Sequence, residues 1–201
     1  MSDHLSEQEL RERLNLIESM IAEGRRHTQN WGWAFILWGV AYYVAMGWSA
    51  WSSSSWWAWP VTMVAAAGIT IAIASSKAGD HPRTTLGRGV GSIWIASGVS
   101  MFVLFLALSM SGRLTDPRLF AAIASAMLGT ANGASAILLR WRLQMGCAIV
   151  WWAAAVAVCF VTGTQSIVVF LLAIFLCQIV FGIYGAIAGA GKNKPRIPAH
   201  A

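Results

Sequence analysis

Six long apolar runs constrain the fold of this 201-residue chain, because none of them contains Asp, Glu, Lys, Arg or His. Each run is close to the roughly 20 residues that a helix needs to cross a bilayer core about 30 Å thick. Transmembrane β-strands are only about ten residues long and alternate in polarity, so the runs predict helices. The predicted spans are residues 31–51, 56–75, 89–110, 119–139, 145–163 and 167–190. The fifth is the weakest, because a polar segment follows it.

Composition supports a membrane protein with little mass outside the bilayer. Charged residues make up 11% of the chain, against roughly 25% in soluble domains. The predicted domains are a cytoplasmic helix and juxtamembrane segment (1–30), a six-helix transmembrane domain (31–190) and a basic cytoplasmic tail (191–201). The fold class is therefore expected to be all-α and polytopic, with the six helices arranged as three tandem hairpins.

The Lys and Arg residues predict the orientation. Twelve fall on the side that carries both termini and only Arg113 and Arg118 fall on the other, so the positive-inside rule places both termini in the cytoplasm. The plasma membrane, most simply a bacterial inner membrane, is the expected location, with the first span as an uncleaved signal anchor. The net charge of +6 is thereby explained by topology and lipid contact, and no nucleic-acid partner is expected.

Residues 6–29 predict an amphipathic helix ahead of the first span. Ser6 and Glu9 fit a capping box, and Gly24 is expected to weaken the helix after about 16 residues. One apolar stripe runs along it, formed by Leu10, Leu14, Ile17 and Ile21. Three partners remain open for this stripe: the protein's own loops or the lipid surface, a second copy of the chain, or a different membrane protein.

Small residues predict where the spans pack, because they let helix backbones approach closely in a bilayer. The candidate packing positions are Gly129, Gly133, Gly182 and Gly185. A similar ridge in the second span begins at Gly68. These ridges are expected either to pack the six-helix bundle or to pack between subunits.

The spans lack the ionisable side chains that intramembrane catalysis or ion coupling needs. No catalytic residue, metal site or cofactor is therefore expected, and the three cysteines are interpreted as small core residues. The sharpest polar residues within the spans are Asn132, Gln178 and Thr130, which form either interhelical hydrogen bonds or a solute path. The sequence favours a non-enzymatic accessory, scaffold or stress-related protein acting through protein contacts. The alternative is an uncoupled channel or facilitator for a small neutral or hydrophobic solute.

Overall fold

A computed structural model describes residues 7–51, 57–76, 85–112 and 116–192, and nearly all of these residues are helical. The elements, in chain order, are α1 (Glu7–Asn30), α2 (Gly32–Trp51), α3 (Ala58–Ser76), α4 (Thr85–Met110), α5 (Pro117–Leu139), α6 (Arg142–Phe160), α7 (Gly163–Ile174), a π-helical segment (Phe175–Val180) and α8 (Phe181–Lys192). The last three run on from one another as a single long helix.

Six helices in the described part of the chain are long and apolar enough to cross a membrane. They comprise α2 to α6 and the long helix that begins with α7, so the chain is an all-helical, multi-pass membrane protein. The fifth of them runs from Arg142 to Phe160 with a mean hydropathy of 1.9. It therefore begins and ends three residues earlier than predicted, and the sixth begins at Gly163 rather than at residue 167.

The polar segment behind this difference caps a helix. The Thr162 hydroxyl accepts a hydrogen bond from the backbone N–H of Gln165, and the Gln165 side chain accepts one from the N–H of Thr162. This reciprocal pair is a capping box, which satisfies two amides at the start of a helix. The segment that made the fifth span look weak is thus the start of α7.

Asp116 sets the start of α5 in a related way. Its carboxylate accepts hydrogen bonds from the backbone and the guanidinium of Arg118, and Pro117 occupies the first turn. The hydrogen bonds from the side chain and backbone of Arg118, together with the ion pair at 2.9 Å, lower the pKa of the Asp116 carboxyl below its usual value. An acidic cap is favourable at this end of a helix because the helix dipole is positive there.

Helices α5 and α6 form the most extensive helix pair, and the bundle is built around them. Helix α2 packs against both α3 and α8, while α4 packs on α5 and α7 on α6. The core between the helices is rich in aromatic rings, including Trp151 and Phe170, whose centroids lie 5.9 Å apart. Helices that are neighbours in the sequence therefore pack as pairs. The most extensive pair, however, is α5 with α6, which joins the second predicted hairpin to the third.

Helix α1 is longer than expected, because it continues through Gly24 to Asn30. Gly24 is buried, and a Cβ there would lie only 2.8 Å from the Leu139 side chain and 3.0 Å from that of Leu86. Its lack of a side chain lets α1 approach the ends of two other helices, and this packing outweighs the low helix propensity of glycine. The predicted cap at Ser6 lies outside the described residues.

Candidate functional site

Arg25 fastens α1 to the end of α5. Its Nε donates a hydrogen bond to the carbonyl of Leu139 at 2.6 Å, and its Nη2 donates one to the carbonyl of Arg140 at 2.7 Å. The last carbonyls of a helix have no partner within the helix and carry its partial negative charge. The guanidinium therefore caps α5 with two charge-assisted hydrogen bonds that connect positions more than 100 residues apart.

The carbonyls that Arg25 binds belong to a tightly defined turn. The N–H of Arg140 donates to Ile137 and the N–H of Trp141 donates to Ala136, which is the pattern of a Schellman motif. Arg140 takes the left-handed conformation with φ 48°, and no other non-glycine residue in the described ranges has a positive φ. Glycine is the usual residue at this position, because a side chain there costs roughly 1 kcal/mol.

The apolar stripe on α1 lies largely in the open. Leu10, Leu14 and Ile17 are 50%, 53% and 52% exposed, whereas Ile21 is half-buried next to the bundle. No described part of the chain covers the first three side chains. Packing on the protein's own loops, one of the three partners that the sequence left open, is therefore absent from the described structure at these positions.

Asn132 and Gln178 are both buried in the bundle. Asn132 Nδ2 donates to the carbonyl of Leu128 at 2.9 Å, but its Oδ1 and the Oε1 of Gln178 have no hydrogen-bond partner in the described chain. The same is true of further buried atoms within the spans: Ser49 Oγ, Ser125 Oγ, Ser135 Oγ, both amide atoms of Gln144 and Trp151 Nε1. Buried polar groups normally find a partner, so this concentration is unusual.

Helix α6 provides a common reference for the depth of these residues. Ala148 lies 3.6 Å from where a Cβ on Gly133 would sit, and the Cys177 thiol donates to the carbonyl of Cys147 at 3.5 Å. Asn132 is next to Gly133 in the chain, and Gln178 is next to Cys177. Both amides therefore lie at nearly the same depth in the bundle, within about one helical turn of each other. Gln178 also falls in the π-helical segment, a distortion that is frequent at functional sites.

Thr130 does not join them. Its side chain is exposed, and its hydroxyl donates to the carbonyl of Ala126 in its own helix. Residues two positions apart in an α-helix point in directions that differ by about 200° around the helix axis. Thr130 therefore faces outwards when Asn132 faces inwards. In the described structure Thr130 lies on the opposite face of α5 from Asn132, apart from the two buried amides.

Gly129 and Gly133 form a shallow seat for the indole of Trp152. A Cβ on Gly129 would overlap Trp152 Cδ1, and one on Gly133 would lie 2.8 Å from Cη2. The ring therefore lies across both glycines, and this contact is part of the close pairing of α5 with α6. Position 68 differs, because nothing lies within 4 Å of a Cβ built on Gly68.

We expect Gly129→Leu and Gly133→Leu to destabilise the protein by about 1–3 kcal/mol each, because the new side chains displace the Trp152 ring. Thermal unfolding in a mild detergent measures the effect. Gly98→Leu is the matched control, because Gly98 is exposed and nothing lies within 4 Å of a Cβ built there, so this variant should unfold near the wild-type temperature. Equal unfolding temperatures for all three variants would contradict the packing role of the two glycines.

Gly182 and Gly185 pack against the start of α2. A Cβ on Gly182 would lie 2.8 Å from the carbonyl oxygen of Gly32, and one on Gly185 would lie 3.3 Å from its Cα. Gly189 continues this line against Asn30 and Gln29. Glycines on both helices thus bring the backbone of α8 against the junction between α1 and α2, which gives α1 a second attachment to the bundle.

No group of three or more His, Cys, Asp or Glu residues that could hold a metal ion occurs among the residues that the structure describes. The three cysteines are free thiols, with Cys147 and Cys177 buried and Cys159 exposed. The Cys177 thiol donates to the backbone carbonyl of Cys147, where α6 meets the π-helical segment. The spacing of the two cysteines in the sequence gives no hint of this contact.

No known protein family, curated protein or solved structure matches this chain.

Proposed function

We propose that this protein is a non-enzymatic membrane scaffold whose copies assemble through the exposed stripe of α1. The observation that carries the proposal is the contrast along this one helix. Its second half is fixed to the bundle by Gly24 and Arg25, while three large apolar side chains in its first half stay half-exposed. A fixed helix with an uncovered apolar face is typical of a protein contact, since ordering the face in advance lowers the entropy lost on binding.

The charges beside the stripe favour a second copy as the occupant. Leu10, Leu14 and Ile17 are flanked by Arg11 and Arg13 at one end and by Glu18 at the other, and neither Arg13 nor Glu18 has an ion-pair partner within the described residues. When two such helices pair along the stripe, Glu18 of each faces an arginine of the other, Arg13 in a parallel pair and Arg11 in an antiparallel pair.

An anionic lipid surface fits this stripe less well. Residues 7–23 contain five glutamates and two arginines, so this part of α1 is acidic. An interfacial helix that binds anionic lipid carries Lys and Arg on its polar face instead. The acidic character therefore supports a protein partner over the lipid headgroups.

The bilayer strengthens a contact that is weak by itself. Two heptads form a marginal coiled coil in water, where three or four are normally needed. Chains held in the same membrane meet at a high effective concentration, however, and a second contact adds to the first. Helix α3 offers one, because its ridge of Gly68, Ala72 and Ser76 faces away from the bundle.

The proposal includes the topology expected from the charge distribution. Three tandem hairpins place α1 and both termini on the cytoplasmic side of a plasma membrane, most simply a bacterial inner membrane. Twelve basic residues on that side against two on the other support this orientation. The amphipathic helix α1 then presents its stripe to the cytoplasm.

Light scattering on the purified protein in mild detergent tests the assembly. We expect the wild type to form an oligomer and Leu14→Glu with Ile17→Glu to reduce its mass, because two buried charges would face each other across the contact. Leu16→Glu is the matched control: Leu16 is 61% exposed and lies off the stripe. A monomeric wild type, or an unchanged mass in the double variant, would contradict the proposal.

A solute facilitator is the second candidate, and the buried amides of Asn132 and Gln178 favour it. Their unpaired oxygens lie near one level of the bundle beside a π-helical segment. Such groups suit a polar point on the path of a small neutral solute. Solute flux in proteoliposomes that is lost in Asn132→Leu or Gln178→Leu, at unchanged thermal stability, would favour this function over the scaffold.

A further inference from the structure

A groove lies where the second half of α1 crosses the turn between α5 and α6. Its volume is about 470 Å³, and it is lined by Glu18, Ile21, Ala22, Arg25, Arg140 and Arg142. Helix α1 provides the first four residues, Arg140 lies in the turn and Arg142 is the first residue of α6. The groove thus lies between the helix that carries the exposed stripe and the end of the α5–α6 pair.

The lining carries an excess of positive charge. Three guanidinium groups face one carboxylate, and no ion pair between any of these four residues and another described residue is present. Arg25 uses two of its five N–H donors on the carbonyls of α5, so others remain for a ligand. Arginine is the side chain best suited to a phosphate, which it binds in a bidentate fashion.

The start of α6 adds to this field. Trp141 is the N-cap residue of α6 and provides no side-chain hydrogen bond to its first amides. Those amides, together with the helix dipole, form a partial positive charge that attracts anions. The opposing partial negative charge at the end of α5 is offset by the guanidinium of Arg25.

Arg140 is held in this groove at a conformational cost. Its left-handed backbone is one that glycine adopts freely, whereas a side chain there raises the energy by roughly 1 kcal/mol. An arginine at this position destabilises the turn slightly but places a positive charge in the groove. Local strain of this kind is often found at functional sites.

The position of the groove identifies the source of the anion. Arg140 lies between the spans 118–139 and 142–160, and Arg142 is the first residue of the second span, so both are expected at the level of the lipid headgroups. Ile21 and Ala22 add apolar surface to the lining. We propose that this groove binds the phosphate of an anionic phospholipid headgroup, bridging α1 to the α5–α6 turn.

Native mass spectrometry of the detergent-solubilised protein, titrated with phosphatidylglycerol or phosphatidylcholine, tests the site. We expect one phosphatidylglycerol molecule to bind per protein chain, with an affinity at least about tenfold higher than that of phosphatidylcholine. Arg140→Gly combined with Arg142→Ala should abolish this preference. Arg26→Ala combined with Arg88→Ala removes the same charge from exposed positions outside the groove and should retain it.

The Arg140→Gly change also separates ligand binding from folding, because glycine relieves the backbone strain. We expect this single variant to unfold at or above the wild-type temperature while binding phosphatidylglycerol more weakly.

Equal lipid preference in the groove variant and its charge-matched control would overturn the proposal. Displacement of the lipid by millimolar inorganic phosphate would overturn the assignment to a lipid and indicate a site for free phosphate. The measured quantity is the lipid bound to each variant, and these variants leave the α1 stripe unchanged. The result therefore does not depend on whether copies assemble through α1.

Discussion

Gly32→Ala is expected to lower the free energy of unfolding by about 1–3 kcal/mol, although the substitution adds only one methyl group. The new Cβ would lie 2.5 Å from the backbone nitrogen of Ala186 and 2.6 Å from the carbonyl oxygen of Gly182. Both atoms belong to the backbone of α8, so no side-chain rotation can relieve the overlap. The two helices must move apart. The close contacts that Gly39 of α2 makes with the π-helical segment, and that Gly189 of α8 makes with the end of α1, are then expected to weaken as well.

Gly47→Ala in the same helix is the matched control for this change. Nothing lies within 4 Å of a Cβ at Gly47, and alanine has the higher helix propensity, so this variant should be as stable as the wild type or slightly more stable. Thermal unfolding in mild detergent compares the two variants. If Gly32→Ala unfolds at the temperature of Gly47→Ala, then α2 and α8 do not pack through their backbones as described.

Arg25→Ala is expected to release α1 from the bundle and to destabilise the protein by about 1.5–3 kcal/mol for the lost charge-assisted hydrogen bonds. The change leaves the carbonyls of Leu139 and Arg140 without their partners at the end of α5. Arg25→Lys should recover only part of the loss, because a single ammonium cannot reproduce the planar, two-pronged contact. Limited proteolysis should then cut α1 faster in Arg25→Ala than in the wild type.

Arg26→Ala is the control, since Arg26 is exposed and makes no hydrogen bond or ion pair with another described residue. It removes the same charge from the neighbouring position of the same helix. Equal protease sensitivity of Arg25→Ala and Arg26→Ala would show that Arg25 does not hold α1 in place.

The sequence was sufficient to predict six helices that can span a membrane, because continuous apolar runs leave the backbone no other way to satisfy its hydrogen bonds in lipid. It also singled out small residues that the structure places in close helix contacts, such as Gly129 and Gly182. The polar segment at Thr162 was harder to interpret, since a capping box and a weak span end look alike in composition.

Contacts between distant parts of the chain could not be predicted in this way. Arg25 is one of two adjacent arginines at the rim of the first span, and nothing local shows that its partners lie at Leu139 and Arg140. The seat for Trp152 likewise depends on how α5 and α6 face each other. The sequence also gives no signal for the π-helical segment that contains Gln178.

The exposure of the α1 stripe is a further result that only the fold provides. A row of Leu10, Leu14 and Ile17 is equally compatible with packing inside the protein and with packing against a partner. The structure leaves these side chains half-exposed while Gly24, about two to four turns away, is buried. This difference within one helix supports the assignment of the stripe to a contact between copies.

Cysteine cross-linking in native membranes tests this central claim most directly, because it detects the contact before any detergent is added. The exposed Cys159 is first replaced by serine, and Leu14→Cys is then compared with Leu16→Cys, which lies off the stripe on the same helix. We predict a disulfide-linked dimer for Leu14→Cys and little or none for Leu16→Cys after mild oxidation. No dimer at position 14, or equal amounts at both positions, would contradict assembly through α1.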